Sequence, residues 1–284
     1  MPEQHSSFGY SAVSTFEQCQ FRYKLQYIEG LKTIPSDDPS NALIIGTALH
    51  KAIETDLDTA IQEYFDSYPI IDDLHINEEI KLRHLIPKVK EILPDGIHEV
   101  QVIDTNFMGT LDLLVPVELD LEEKDEICNK CWKCGECGYC NSGRCPDGKY
   151  DGLYDLYDFK YSNNWMRYME SRQLHLYKYY FEKKNPNKKI RNMYFIFVPK
   201  IQIRQKKTET LFQFRERLHN ELDKVFPKKE QVHYDPQKVI DHLEITQVIP
   251  QVTEYSKNPT RLCAFCEFQR YCESDGKEDW MVYD

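Results

Sequence analysis

Asp158 and Lys160 flank Phe159 in a run, Asp155 to Tyr161, whose Leu, Tyr and Phe residues favour an extended strand. Side chains two apart on a strand share a face. The carboxylate and the ammonium therefore point the same way, and Phe159 points into the packing on the other side. An acid beside an amine in that arrangement suits the holding of a divalent ion and the activation of a water next to it. Gln173 and Tyr177 lie four apart in the stretch Trp165 to Lys183, which the sequence predicts as one helix, so they share a face there. Alone, Asp-x-Lys is equally the pattern of a surface ion pair on an edge strand. Two further segments shift the balance: His50 on an apolar helix, and Asp112 in Gly109-Thr110-Leu111-Asp112. Magnesium or manganese takes oxygen ligands, asks one or two carboxylates of the protein, and keeps waters for a substrate phosphate. Asp112 and Asp158 lie on strands able to run side by side.

The elements that must position these groups follow from pattern. Ser14-Thr15-Phe16-Glu17 has the form of a capping box opening a helix, with Phe16, Cys19, Tyr23 and Tyr27 at helical spacing and Gly30 ending it. Asn41 is placed to cap a long helix to about Phe65, with Ile45, Leu49, Ile53, Leu57 and Ile61 as its apolar stripe. Gly46, one turn before His50, suggests a close approach by something. Glu79 to Leu93 is a further helix, disturbed by Pro87. Glu99 to Thr105 and Phe107 to Val117 form a hairpin around Asn106. The apolar run Met193 to Pro199 is a buried strand, and Leu211 to Phe226 is an amphipathic helix. The remainder is loop-rich.

Composition bounds the function. The 284 residues suffice for one large domain or two small ones, and 41% hydrophobic residues allow a substantial core. No apolar run approaches the ~20 residues that cross a membrane, and Met1 to His5 lacks the form of a secretory signal. An intracellular, cytoplasmic protein is expected. A net charge of −11 argues against a generic nucleic-acid coat protein. Acid collects at Asp37-Asp38, Glu54 to Asp73, Glu118 to Glu126 and from Glu273 on. Base collects at Lys183, Lys184, Lys188, Lys189, Arg191, Lys200, Arg204, Lys206, Lys207, Arg215 and Arg217. That is either ordinary solvated charge or a face able to follow a phosphate backbone.

The ten cysteines, in a chain taken as intracellular, point to metal rather than disulfides. Cys263-x-x-Cys266 and Cys272, with Cys19 far upstream, offer four thiolates, which suit a [4Fe-4S] cluster or equally a tetrahedral zinc. Cys128, Cys131, Cys134, Cys137, Cys140 and Cys145 crowd a segment with almost no aliphatic residues. Their Cys-x-x-Cys-Gly pieces have the form of zinc knuckles, and Cys145-Pro146 that of a ferredoxin loop. One zinc is the simpler reading of these six. The segment would contact DNA through Lys130, Trp132, Lys133 and Arg144, or dock a protein partner.

Taken together, these pieces make the chain resemble the PD-(D/E)xK nucleases, in their RecB-type exonuclease branch. Gly46-Thr47-Ala48-Leu49-His50 matches the family's Gly-x-x-x-His helix, Gly109 to Asp112 its Gly-x-x-Asp motif, Asp158-Phe159-Lys160 its third motif, and Gln173 to Tyr177 its Gln-x-x-x-Tyr helix. Leu111 stands where the superfamily's name has Pro, which is usual in this branch. The resemblance implies an α/β fold with a restriction-endonuclease-like core, a mixed central sheet flanked by helices. It implies a single nuclease domain over 1–284, with a helical N-terminal part at 1–95, a Cys-rich metal-binding insertion at 121–150 and a C-terminal Fe–S closing segment at 255–284. It implies Mg2+ or Mn2+ held by His50, Asp112, Asp158 and the Phe159 carbonyl, with Glu99 assisting from outside that set. Lys160 would position the attacking water, and Gln173 and Tyr177 would hold the strand or the lysine. The four outlying cysteines resemble the iron–sulfur staple of the AddB subunit and of CRISPR-associated exonucleases, which selects iron for that site. The implied activity is an exonuclease acting on single-stranded DNA ends, with duplex ends as the other form of its DNA partner, in recombination, repair, phage replication or CRISPR adaptation. The alternatives are a non-catalytic DNA-binding or assembly subunit on the same scaffold, and an Fe–S or zinc docking protein.

Overall fold

The computed structural model describes residues 8–34, 37–117, 152–277 and 282–283. The six cysteines from Cys128 to Cys145, and the insertion at 121–150 as a whole, lie outside the described residues. Two compact units divide the chain: one comprises Met1–Ser36, Gln101–Gly109 and Asp235–Asp284, the other Asp37–Val100 and Thr110–Tyr234.

In the first unit, α1 (Tyr10–Gln18) and α2 (Gln20–Tyr23) meet at Cys19, whose extended backbone interrupts the helix, and a π-helical turn (Lys24–Ile28) follows. The helix thus begins four residues before Ser14, and the expected capping box there lies within it. β1 (Lys32–Thr33) pairs antiparallel with the short Val282–Tyr283 strand of the same unit. Phe8, Ala12, Val13, Phe16, Tyr23 and Ile249 form this unit's core.

The second unit holds the catalytic candidates. Asn41 caps α3 (Ala42–Glu54) by accepting from Leu43 N–H. The expected long helix to Phe65 is two helices. Asp56 caps α4 (Leu57–Asp66) by accepting from Thr59 N–H, and a short acidic side chain that finds a backbone donor locally favours a new helix start over continuation. α5 (Asp73–Ile92) runs through Pro87, which here does not end the helix, with Leu85, Ile86 and Val89 buried around it. Lys88 Nζ donates to the carbonyls of Leu222, Asp223 and Val225.

β2 (Ile97–Asp104) and β3 (Phe107–Pro116) are the expected hairpin, and β4 (Gly152–Tyr161) follows the undescribed segment. The helix predicted over Trp165 to Lys183 is broken into α6 (Trp165–Met169) and α7 (Gln173–Lys184), so Gln173 opens a helix rather than lying inside one. β5 (Lys188–Val198), α8 (Leu211–Leu222) and β6 (Lys228–Val232) complete the unit. The sheet order is β2-β3-β4-β5-β6, with β3–β4 and β5–β6 antiparallel and β4–β5 parallel. It is a mixed sheet flanked by helices, as an α/β fold of this class requires. Tyr157 and Phe159 pack into a core with Ile45, Leu49, Ile86 and Leu218, while Asp158 and Lys160 face the other way.

Back in the first unit, the stretch expected to be loop contains α9 (Pro236–Val248), followed later by α10 (Gln269–Glu273) and β7 (Val282–Tyr283). Asp235 caps α9 with Pro at its first position, a start signal that was present in the sequence.

The end of α7 is tied to β5 through Glu182. Its Oε1 accepts from Lys178 Nζ at 2.5 Å and from Ile190 N–H at 2.9 Å, and its Oε2 accepts from Lys189 Nζ at 3.0 Å. Burial pushes this carboxyl up, but the Lys178, Ile190 and Lys189 donors outweigh it and hold it below its ordinary value. A depressed folded value adds stability that is complete above the unfolded value of ~4.3 and fades as pH falls through the folded one. Glu182→Gln should therefore cost ~1–3 kcal/mol at neutral pH. Urea melts of the two proteins should converge in acid below the depressed value.

Candidate active site

The ladder between β3 and β4 ends at the pair Leu113–Tyr157. Beyond it a side chain takes over: Asp112 Oδ2 accepts the Phe159 N–H at 2.7 Å. The Phe159 carbonyl accepts from His50 Nε2 at 3.1 Å. A carbonyl can only accept, so Nε2 carries a proton, and in the neutral ring the Nδ1 lone pair then faces Asp112 Oδ1, 3.5 Å away. Orientation of a ligating imidazole by its other N–H is the usual arrangement in metal sites. Burial pushes the His50 pKa down, but the hydrogen bond that a protonated Nδ1 gives to Asp112, with the charges of Asp112 and Asp158, carries it above its ordinary value.

Glu99 sits within β2 with φ +52°, in the left-handed region. A non-glycine residue there is strained by roughly 1–3 kcal/mol, a cost that tends to mark functional positions. One donor atom each from His50, Glu99 and Asp112 lie within 4.8 Å of one another, the group of three among the described residues with spacing for a metal ion. Burial raises the Glu99 carboxyl, and the charges of Asp112 and Glu54 raise it further. A cation at this point would relieve that repulsion.

Asp158 is fully buried, and its Oδ2 lies 2.5 Å from Lys160 Nζ. Among the described residues its Oδ1 has no hydrogen-bond partner. Burial pushes the Asp158 carboxyl up, against the opposing charge of Lys160. Burial also works against the Lys160 ammonium, but the charges of Asp158 and Asp112 outweigh it and hold the lysine protonated. Gln173 Nε2 donates to Tyr177 Oη at 3.0 Å. Burial raises the Tyr177 hydroxyl, followed by the charge of Asp158 and, more weakly, those of Asp112 and Glu99.

The structure thus gathers His50, Asp112, Asp158, Phe159 and Lys160 through direct contacts, and Gln173 and Tyr177 as a bonded pair. It differs from the sequence reading in emphasis. Glu99 belongs to the compact ligand group, Asp158 lies outside that group, and the Phe159 carbonyl serves His50. A left-handed residue inside a strand of ordinary composition leaves no mark in the sequence. The donor set, two carboxylates with an imidazole and the orphaned Asp158 oxygen, fits a magnesium- or manganese-class ion. Much of the expected basic face is already engaged: Lys189 pairs with Glu182, Arg191 with Asp155, Arg215 with Asp73 and Arg217 with Glu209.

A second constellation lies in the first unit. Cys19, Cys263, Cys266 and Cys272 all line one cavity of about 720 Å³. Burial pushes the Cys266 and Cys272 thiols up, and the charge of Cys19 adds to both shifts.

The family model of the PD-(D/E)XK nuclease superfamily matches residues 7–101 and 147–273. The chain belongs to that superfamily. A Eubacterium rectale protein, whose crystal structure at 2.19 Å is named "Putative exonuclease", shares the fold of this superfamily member. The two are 11% identical, with a TM-score of 0.51 over 94% of this chain and 88% of that one. No curated protein matches the chain. Members of the superfamily generally use divalent metals. Among the described residues, no helix is long and apolar enough to cross a membrane.

The strained backbone at Glu99 separates its chemistry from its packing. Asn tolerates the left-handed region and lacks the charge. Glu99→Asn should keep or raise the thermal midpoint while weakening Mn2+ binding by at least about tenfold, as read by calorimetry.

Proposed function

We propose that this superfamily member is a metal-dependent deoxyribonuclease of the RecB-type branch, an exonuclease that hydrolyses phosphodiester bonds at single-stranded DNA ends. The observation that carries the reading is the His50–Glu99–Asp112 group, beside the strand that presents Asp158 and Lys160. His50, Glu99 and Asp112 would hold the ion, with Asp158 and the Phe159 carbonyl available to complete its donors. When bound, the ion supplies an acidified water and offsets charge on the scissile phosphate.

The chain's own groups do the rest. Phe159 O fixes the imidazole, and Asp112 Oδ2 fixes the strand that presents it. Lys160 is held charged at a largely buried position, where an ammonium can orient the attacking water and stabilise the oxyanion that develops on phosphorus. Tyr168 and Phe195 flank it, with Nζ 5.6 and 5.8 Å from their ring centroids, and restrict where the amine can move. Gln173 and Tyr177 line the same polar region and would steady the strand or the lysine.

We also assign Cys19, Cys263, Cys266 and Cys272 to a [4Fe-4S] cluster. Their common cavity supports a shared metal group, and a cationic centre favours the thiolate forms that burial otherwise disfavours. Such a cluster would tie α1 to the C-terminal turns within the first unit. Four of the six cysteines from Cys128 to Cys145 are assigned to one zinc in the insertion, leaving two spare, with DNA or a protein partner as the contact of the insertion.

A labelled single-stranded oligonucleotide should be cleaved with Mg2+ or Mn2+ and left intact with EDTA. Asp158→Ala and Lys160→Ala should each lose at least ~100-fold in cleavage while still binding the oligonucleotide. Undiminished cleavage in both variants would contradict the site, and binding without cleavage in the parent protein would favour a scaffold subunit. Anaerobic purification should give a brown protein with about four irons per chain bound through the outlying cysteines. Zinc in their place, or no metal, would overturn that assignment.

A further inference from the structure

Gly46 lies inside α3, where glycine is the poorest helix former after proline. Packing gives no reason for it. A Cβ built at Gly46 meets no atom of the described residues within 4 Å, and the backbone there has no positive φ. The space that a side chain would occupy belongs to an open cavity of about 400 Å³. Leu43, Gly46, Thr47, His50, Lys51 and Glu99 are among its lining residues. Two of these, His50 and Glu99, are also members of the ion-binding group, so the cavity and the candidate active site are continuous.

The remaining lining residues say what kind of molecule fits. Leu43 is 78% exposed, an aliphatic side chain at the rim with no core to fill. The Thr47 hydroxyl donates to the Leu43 carbonyl within the helix, which spends its polarity internally. Among the described residues Lys51 makes a long ion pair with Glu63, at 3.8 Å, and leaves an ammonium near the groove. Glu54 and Glu99 make the groove floor acidic. An anionic ligand would be repelled from that floor until a divalent cation sat on it. An exposed leucine, a glycine that leaves room, one lysine and an ion-binding group among the lining residues together fit a nucleotide: a base or sugar on Leu43, and a phosphate directed at the ion.

We propose that the Leu43–Gly46–Thr47–His50 face of α3 is the track by which the DNA strand reaches the active site, with the nucleotide beside the scissile phosphate passing over Gly46. This rests on the nuclease reading above and adds to it the substrate's path. The glycine is there to leave room for the ligand, so filling that room should help the fold and hinder the substrate. Opposite signs of this kind do not arise from a residue that merely packs.

The test uses the full chain and three variants, Gly46→Ala, Gly46→Leu and Leu43→Glu. Thermal midpoint, Mn2+ affinity, and KM and kcat on a single-stranded oligonucleotide are measured for each. Both Gly46 variants should melt at or above the parent, by about 2 °C for alanine, and should bind Mn2+ as the parent does. Their KM should rise with side-chain size, to about tenfold or more for leucine, the equivalent of losing one good contact. Leu43→Glu places an acid in the first turn of a helix, where it does not harm stability, and should also raise KM. A parental KM in Gly46→Leu would overturn the proposal, as would a lowered midpoint, which would assign the glycine to packing. If the parent protein cleaves DNA and Gly46→Leu keeps its KM, the track alone falls. If the parent cleaves nothing, the nuclease reading falls with it.

Discussion

Asp112 divides its two oxygens between two tasks. Oδ2 takes the Phe159 N–H at the point where the β3–β4 ladder stops, and Oδ1 faces the His50 ring. One carboxylate therefore sets the spacing of three segments that are far apart in the chain. A ladder continued past Leu113–Tyr157 would have used the Phe159 N–H itself and left no such role for the Asp112 side chain. The His50 bond to the Phe159 carbonyl closes the arrangement from the helix side. The geometry of the candidate site thus depends on a place where regular pairing gives way to side-chain bonds, backed by the apolar packing of Phe159 beneath it.

The same arrangement is electrostatically incomplete by itself. Asp112, Glu99 and Asp158 bring acids together in a partly desolvated region, and two of them, Glu99 and Asp158, are pushed toward protonation. The buried Asp158–Lys160 pair offsets some of that. Burying such a pair is weak evidence for stability, because desolvation consumes much of the attraction. Strain at Glu99 adds a further cost. Costs gathered at one place, with donor atoms converging on one point, fit a site that a divalent ion completes. The four thiols of the first unit follow the same logic with softer ligands: burial disfavours their charged forms, and a shared metal group would restore them.

Much of this was legible from residue type and spacing. Alternation in Asp155 to Tyr161 placed Phe159 in the core and Asp158 with Lys160 on the opposite face, and the four-residue spacing of Gln173 and Tyr177 survives as a hydrogen bond. Features set by local competition were harder to read. The break at Thr55–Asp56 depends on Asp56 capturing Thr59, and the break at Cys19 on one extended residue inside a helical pattern. Pro87 sits within α5 because surrounding core contacts override its local cost. The left-handed Glu99 is a property of the folded hairpin and not of any nearby sequence motif. Helix α9 stands in a stretch expected to be loop, although Asp235-Pro236 has the form of a helix start and Val239, Ile240, Leu243 and Val248 recur near helical spacing.

The central claim is that His50, Glu99 and Asp112 share one divalent ion. The most direct measurement is anomalous diffraction from crystals grown with Mn2+. The expected result is a manganese peak bounded by one atom from each of these three side chains, with the His50 Nε2–H still on the Phe159 carbonyl. A manganese peak elsewhere, with the three side chains turned apart, would contradict it.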